Sequence, residues 1–154
     1  MQTAPAAPAL GGDAYWLADG GKWHVHGESL QISQGPSGLT GTVSWNAGPC
    51  NGPYNNNPSA AGQMCEGSSQ LTFASQLDGS LAGTFTTNPT YRAWSGGSIG
   101  NYQPSSGDPK AGETFTLVPL QAHFAKGVPD TSGVGNPYLC QDGLDAVTVR
   151  ACGA

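Results

Sequence analysis

From Asp13 onward, apolar residues recur at every second position in short runs bounded by clusters of Gly, Pro, Asn and Asp. That period belongs to half-buried β-strands and not to helices. Trp23 and Val25 fall on one face of the first run, and the apolar parity slips by one at Leu30 and Ile32. The slip predicts one strand with a β-bulge at Gly27. Gln34-Gly35-Pro36-Ser37-Gly38 predicts a turn, and Leu39, Val43 and Trp45 alternate on the return strand, which makes an antiparallel hairpin. Leu71, Phe73 and Leu77 alternate up to Asp78-Gly79, and Leu81 and Phe85 carry the pattern away again. Asp-Gly between two alternating runs is a strong hairpin signal.

Further strands are predicted over Glu113–Leu120, carrying Phe115 and Leu117, and over Asp145–Arg150, carrying Val147 and Val149. Gln121 to Ala125 either continues the sheet or makes a single helical turn. Gly or Pro interrupts nearly every window in which a helical stripe could form. The pattern predicts an all-β fold, an antiparallel meander closing into a small β-barrel, with a β-sandwich as the alternative. The inward residues, Trp45, Val147 and Val149 among them, are mostly large, which predicts a packed interior. Residues 1–12, with their Ala and Pro repeats, read as a flexible segment ahead of a single domain over 13–154.

Composition narrows the partners. A chain of 154 residues is one ordinary domain with enough apolar residues for a core, yet only 10% of its residues are charged. The usual share is about a quarter, and uncharged Gly, Ser, Thr, Asn and Gln stand in their place. A net charge of −5 with five Lys and Arg spread along the chain builds no basic patch, which argues against nucleic acid and anionic membrane surfaces. No apolar run approaches a membrane span, so no membrane insertion is expected. The expected partners are a small molecule, a cell-envelope glycan or a secreted protein. Asn57 and Asn88 open apparent glycosylation sequons, but proline follows each.

Four cysteines allow three pairings. The segments between Cys50 and Cys65 and between Cys140 and Cys152 are rich in Gly, Asn and Asp, so each can turn back on itself and favour those two local disulfides. No CxxC or HxxxH spacing suggests a structural zinc. Disulfides point to an oxidising compartment, so the protein is expected to be secreted or in the cell envelope, as a mature form whose signal peptide has been removed.

The chemistry-bearing residues are few. His24, His26 and Glu28 would project from one side of an extended strand, and two imidazoles with a carboxylate suit iron, manganese or zinc. The segment resembles the first cupin motif, which also places HxH on a barrel strand and would imply a metal-dependent enzyme. It departs from that motif in having only Gly27 between His26 and Glu28. The simpler reading puts Trp23 and Val25 in the core and both histidines in water, and no cofactor is then expected. No GxSxG elbow is present, and the aspartates sit in turn-like contexts, so no catalytic residue is assigned. Tyr54, Tyr91, Trp94 and Tyr102 lie in or beside Gly-, Asn- and Pro-rich stretches and are the candidate ligand contacts. The Cys50–Cys65 loop, with Tyr54 and Met64, could alternatively enter a protease cleft as an inhibitor loop.

Trp23-His24-Val25-His26-Gly27 with Leu30 and Ile32, the Cys50 and Cys65 pair, and Gly135-Asn136-Pro137-Tyr138-Leu139-Cys140 leading to Cys152-Gly153-Ala154 carry a broader resemblance. On these residues the chain resembles a group of small secreted actinobacterial proteins of unassigned function. The resemblance implies export, two disulfides and a β fold, and it carries no catalytic residue across.

Overall fold

A computed structural model describes residues 11–25, 28–50, 64–93, 109–128 and 137–152. Its strands are β1 (Lys22–Val25), β2 (Glu28–Gly35), β3 (Gly38–Pro49), β4 (Met64–Ser75), β5 (Leu81–Phe85), β6 (Thr90–Ala93), β7 (Thr114–Gln121), β8 (Phe124–Val128) and β9 (Tyr138–Cys140). Each pairs antiparallel with its neighbours in the order β3-β2-β1-β9-β8-β7-β5-β4, and a further β3–β4 pairing closes the ring. The fold is therefore a closed eight-stranded antiparallel barrel, which leaves none of those strands with an open edge. β6 lies along the same edge of β4 as β5, pairing Ser68 with Thr90 where β5 had paired Leu71 with Phe85.

Alternation along the wall is regular. In β4, Cys65, Gly67, Ser69, Leu71 and Phe73 face inward and are buried, while the residues between them are half-buried or exposed. Three inward aromatic rings are each seated on a glycine. A Cβ on Gly41 would stand 2.6 Å from the Phe73 ring, one on Gly83 2.5 Å from Phe115, and one on Gly67 2.5 Å from Trp45. Removing the side chain opposite a ring is how a narrow barrel admits it.

The two ends of the barrel differ. At one end, a single helical turn, α1 (Asp13–Trp16), tucks Trp16 fully inside. Its indole Nε1 donates to the Gly11 and Gly79 carbonyls, and Trp23 Nε1 donates to the Trp16 carbonyl at 3.2 Å. The rings of Tyr15, Trp16 and Trp23 pack edge-on or tilted with centroids within 5.8 Å of one another, and the Tyr15 hydroxyl lies 2.7 Å from both the Gln121 and Phe124 carbonyls. Gly11, placed in the flexible segment by composition, is buried against Gly79 and belongs to this plug. The opposite end, where β1, β3, β6 and β8 finish, has no such plug among the described residues.

Several sequence expectations are corrected. The run from Trp23 to Ile32 is two strands: Val25 pairs with Glu28, so the chain reverses between them instead of bulging at Gly27. A reversal also shifts parity, which is why the two could not be told apart by pattern. Asp145–Arg150 is not a strand. Ala146–Ala151 forms a helix, α2, with Asp145 as its N-cap, accepting from the Thr148 amide at 3.0 Å and the Thr148 hydroxyl at 2.7 Å. Val147 is 74% exposed and Val149 half-buried, so neither lines the barrel. Leu77 sits fully exposed in the β4–β5 turn, where the Asp78 carboxylate accepts from the Ser80 amide and hydroxyl and Gly79 takes a φ of 89°. Gln121 ends β7, and a tight turn at Ala122 and His123 leads into β8.

Candidate functional site

Both expected disulfides are present, Cys50–Cys65 and Cys140–Cys152. The first joins the end of β3 to the start of β4 and forms a small apolar cluster with Ala93 and Ala47 at the end away from α1. The second ties α2 back onto β9.

The two described members of the proposed metal set part company. His24 pairs with Ser29 and points outward, with Nε2 2.8 Å from Asp142 Oδ1. Glu28 stands opposite Val25 in the hairpin and so shares the inward face. His26 lies outside the described residues. The hairpin reversal is the physical reason: i and i+4 share a face only along one uninterrupted strand. Among the described residues, no three His, Cys, Asp or Glu side chains gather as a metal set.

The polar cluster around the 141–144 turn acts as a brace. His123 Nδ1 lies 2.9 Å from Gln141 Oε1 and 3.1 Å from Asp19 Oδ2, and Asp19 Oδ2 accepts the Gly143 amide at 2.8 Å. Gln141 is fully buried and donates to the Ala18 carbonyl. These bonds lash the exit of β9 to the turn after α1, satisfying the polar groups that closure buries.

Of the candidate contact aromatics, Tyr54, Trp94 and Tyr102 lie outside the described residues. Tyr91 is on β6, opposite Gly67 on the inward face, with its ring edge-on to Trp45 at 6.3 Å. Trp45 itself, expected in the packed core, is half-buried at the same level. One layer deeper come half-buried Val43 and Ser69, and one layer beyond them half-buried Phe85, opposite Leu71. Among the described residues, the inward aromatics of this half stay partly exposed, whereas the plugged half holds Trp16, Trp23, Ile32, Leu81 and Leu117 at no more than 1% exposure. Periodicity gave the inward direction of Trp45, but only ring closure shows which inward residues stand at the end away from α1. Elsewhere, a shallow outer groove runs past Gln76, Leu77, Asp78 and Thr116.

Among the described residues of the half away from α1, Glu28 lies on the inward face of β2, Lys110 and Glu113 are exposed just before β7, and Arg92 and Glu66 pair on the outer face. Compared with known protein families, curated proteins and solved structures, the chain matches none.

Proposed function

We propose that this protein is a secreted, disulfide-braced β-barrel binding module without catalytic activity, taking its ligand at the end of the barrel opposite α1. The observation that carries this reading is the pair Trp45 and Tyr91, which face inward but stay half-buried at an end that α1 does not plug. Large amphipathic rings at a concave mouth supply contact area at little conformational cost. The Cys50–Cys65 bridge stands beside them and fixes the rim, which lowers the ordering cost of binding. Two disulfides suit an oxidising compartment. Candidate partners remain a small molecule, a cell-envelope glycan or a secreted protein.

The test is native mass spectrometry on the protein purified from its natural secretion route. The expected result is a chain lighter by four hydrogens than its reduced form and carrying a retained adduct that is lost in Trp45→Ala. An adduct unaffected by Trp45→Ala would move the binding surface elsewhere. A metal lost on His24→Ala would favour the metal-enzyme reading instead.

A further inference from the structure

The inward face of β4 carries one polar side chain that packing does not explain. Ser69 stands between Gly67 and Leu71, opposite Val43, and is 1% exposed. Its Oγ is closed off from solvent and has no hydrogen-bond partner. A buried hydroxyl without a partner is a net cost to the fold, and Ala or Val would fill the same place without it. Such a group calls for an explanation beyond packing, and a bound polar partner is one.

Its surroundings say what that use is. Trp45 and Tyr91 lie one layer further from α1, flanking Gly67 on its two neighbouring strands. The Trp45 ring rests on Gly67, which offers it no side chain to pack against. This half-buried ring is the least constrained of the three that sit on glycines, since Phe73 and Phe115 are each only 8% exposed. Swinging Trp45 outward would uncover Ser69 from that side, with Tyr91 one layer above it, Val43 opposite it and Phe85 one layer below. No Lys or Arg faces inward there among the described residues, and Glu28 stands at the rim. An anion would lose its hydration without gaining a counter-charge.

We propose that Ser69 is the polar anchor of a ligand site beneath Trp45, which takes a flat, uncharged, largely apolar molecule bearing one hydrogen-bonding hydroxyl, carbonyl or amide. The inference rests on the binding-module reading and narrows it to one chemical class. The Ser69 hydroxyl can donate or accept, so it fits any of these groups. The aromatic walls select a flat body, and no inward Lys or Arg among the described residues offers a carboxylate a counter-charge.

The test uses the full chain with both disulfides intact and 2-naphthol as the probe, with naphthalene-2-carboxylate as the anionic comparator. Affinity is read by calorimetry, and position by amide and indole N–H shifts in nuclear magnetic resonance spectra. The naphthol is expected to bind and to shift the signals of Ser69 and the Trp45 indole, with the carboxylate weaker at neutral pH. Ser69→Ala should weaken naphthol binding about tenfold, the loss of one hydrogen bond, without lowering the melting temperature. Trp45→Leu, which keeps the hydroxyl and removes the cover, should weaken it as well and stands in if Ser69→Ala misfolds. Equal affinity in Ser69→Ala, shifts confined to the outer face, or no binding of the naphthol would each overturn the proposal. Retention on immobilised envelope glycans, uncompeted by naphthol, would then leave the binding-module reading standing. No retention on either would remove both.

Discussion

Single glycines decide how this barrel is filled. Gly83 and Gly67 both lie under an aromatic ring at a distance no Cβ could share, but the rings differ in freedom: Phe115 is buried, Trp45 half-buried. Gly83→Ala must displace Phe115 and, with it, the Phe73 and Phe85 rings at 6.1 and 5.4 Å. We expect it to cost about 1–3 kcal/mol, the usual range for overpacking. Gly67→Ala can be relieved by turning Trp45 toward solvent, so its cost should stay below about 1 kcal/mol. Urea unfolding of the two variants checks the order; equal costs would mean that Trp45 is as tightly held as Phe115. Tyr15 offers a second measurement at this scale. Burial at the plugged end pushes its hydroxyl up from 10.0 to about 12. The unfolded chain therefore releases this proton first as pH rises, so stability is unaffected below pH 10 and falls between pH 10 and about 12. Tyr15→Phe should flatten that fall while losing the bond to the Gln121 or Phe124 carbonyl at all pH values. Chemical denaturation from pH 8 to 12 decides it.

At the scale of elements, what the sequence made legible was period, and what it hid was direction. The β2–β3 and β4–β5 hairpins and β7 follow directly from alternating residues around Gly, Pro and Asp-Gly turns. The β1–β2 hairpin was hidden because only two residues separate Val25 from Glu28, too few for a turn to stand out from a bulge. The apparent His24, His26 and Glu28 set needs an uninterrupted strand, which neither a bulge nor a turn after Val25 leaves. α2 was misread because Val147 and Val149 imitate a strand, although Asp145 three residues before Thr148 is a capping spacing. A helix of six residues is far below the length that survives alone in water, and Val147 gives it little packing. The Cys140–Cys152 bridge is what keeps it in place. Replacing both cysteines with Ala should cost about 3 kcal/mol in the chain-entropy account and melt α2 before the barrel. Cys50 and Cys65 span a similar separation, 15 residues against 12. Their loss should instead lower one cooperative transition, because β3 and β4 are held together by nine register pairs without it. Thermal melts followed at 222 nm and by tryptophan near-ultraviolet signal separate these outcomes: coincident curves for the Cys140/Cys152 variant would show that α2 belongs to the barrel's cooperative unit.

For the whole molecule, closure is uneven around the ring. β3 and β4 share nine register pairs, β2 and β3 seven, but β9 has only three with β8 and a single one, His24 with Cys140, with β1. The ring therefore closes through its shortest strand. What holds that seam is mostly not ladder hydrogen bonding. Leu139 is buried among the core residues, Gln141 is bonded to His123 and Ala18, and Cys140 is bridged to α2. Side-chain bonds around one turn are fewer and more local than a ladder, so the β1–β9 seam should open sub-globally at a free energy below that of complete unfolding. Hydrogen exchange on the native protein should then show the amides of β9 and the facing amides of β1 exchanging together, faster than those of β3 and β4. His123→Ala, which removes one arm of the brace, should speed the seam without changing β3–β4. Equal protection around the ring would mean that closure and folding are one event. A seam that opens first would put this barrel's weakest join on the side built from β9, away from the β3 and β4 wall that carries Trp45, Gly67 and Ser69. The mouth could then keep its shape while the opposite wall breathes.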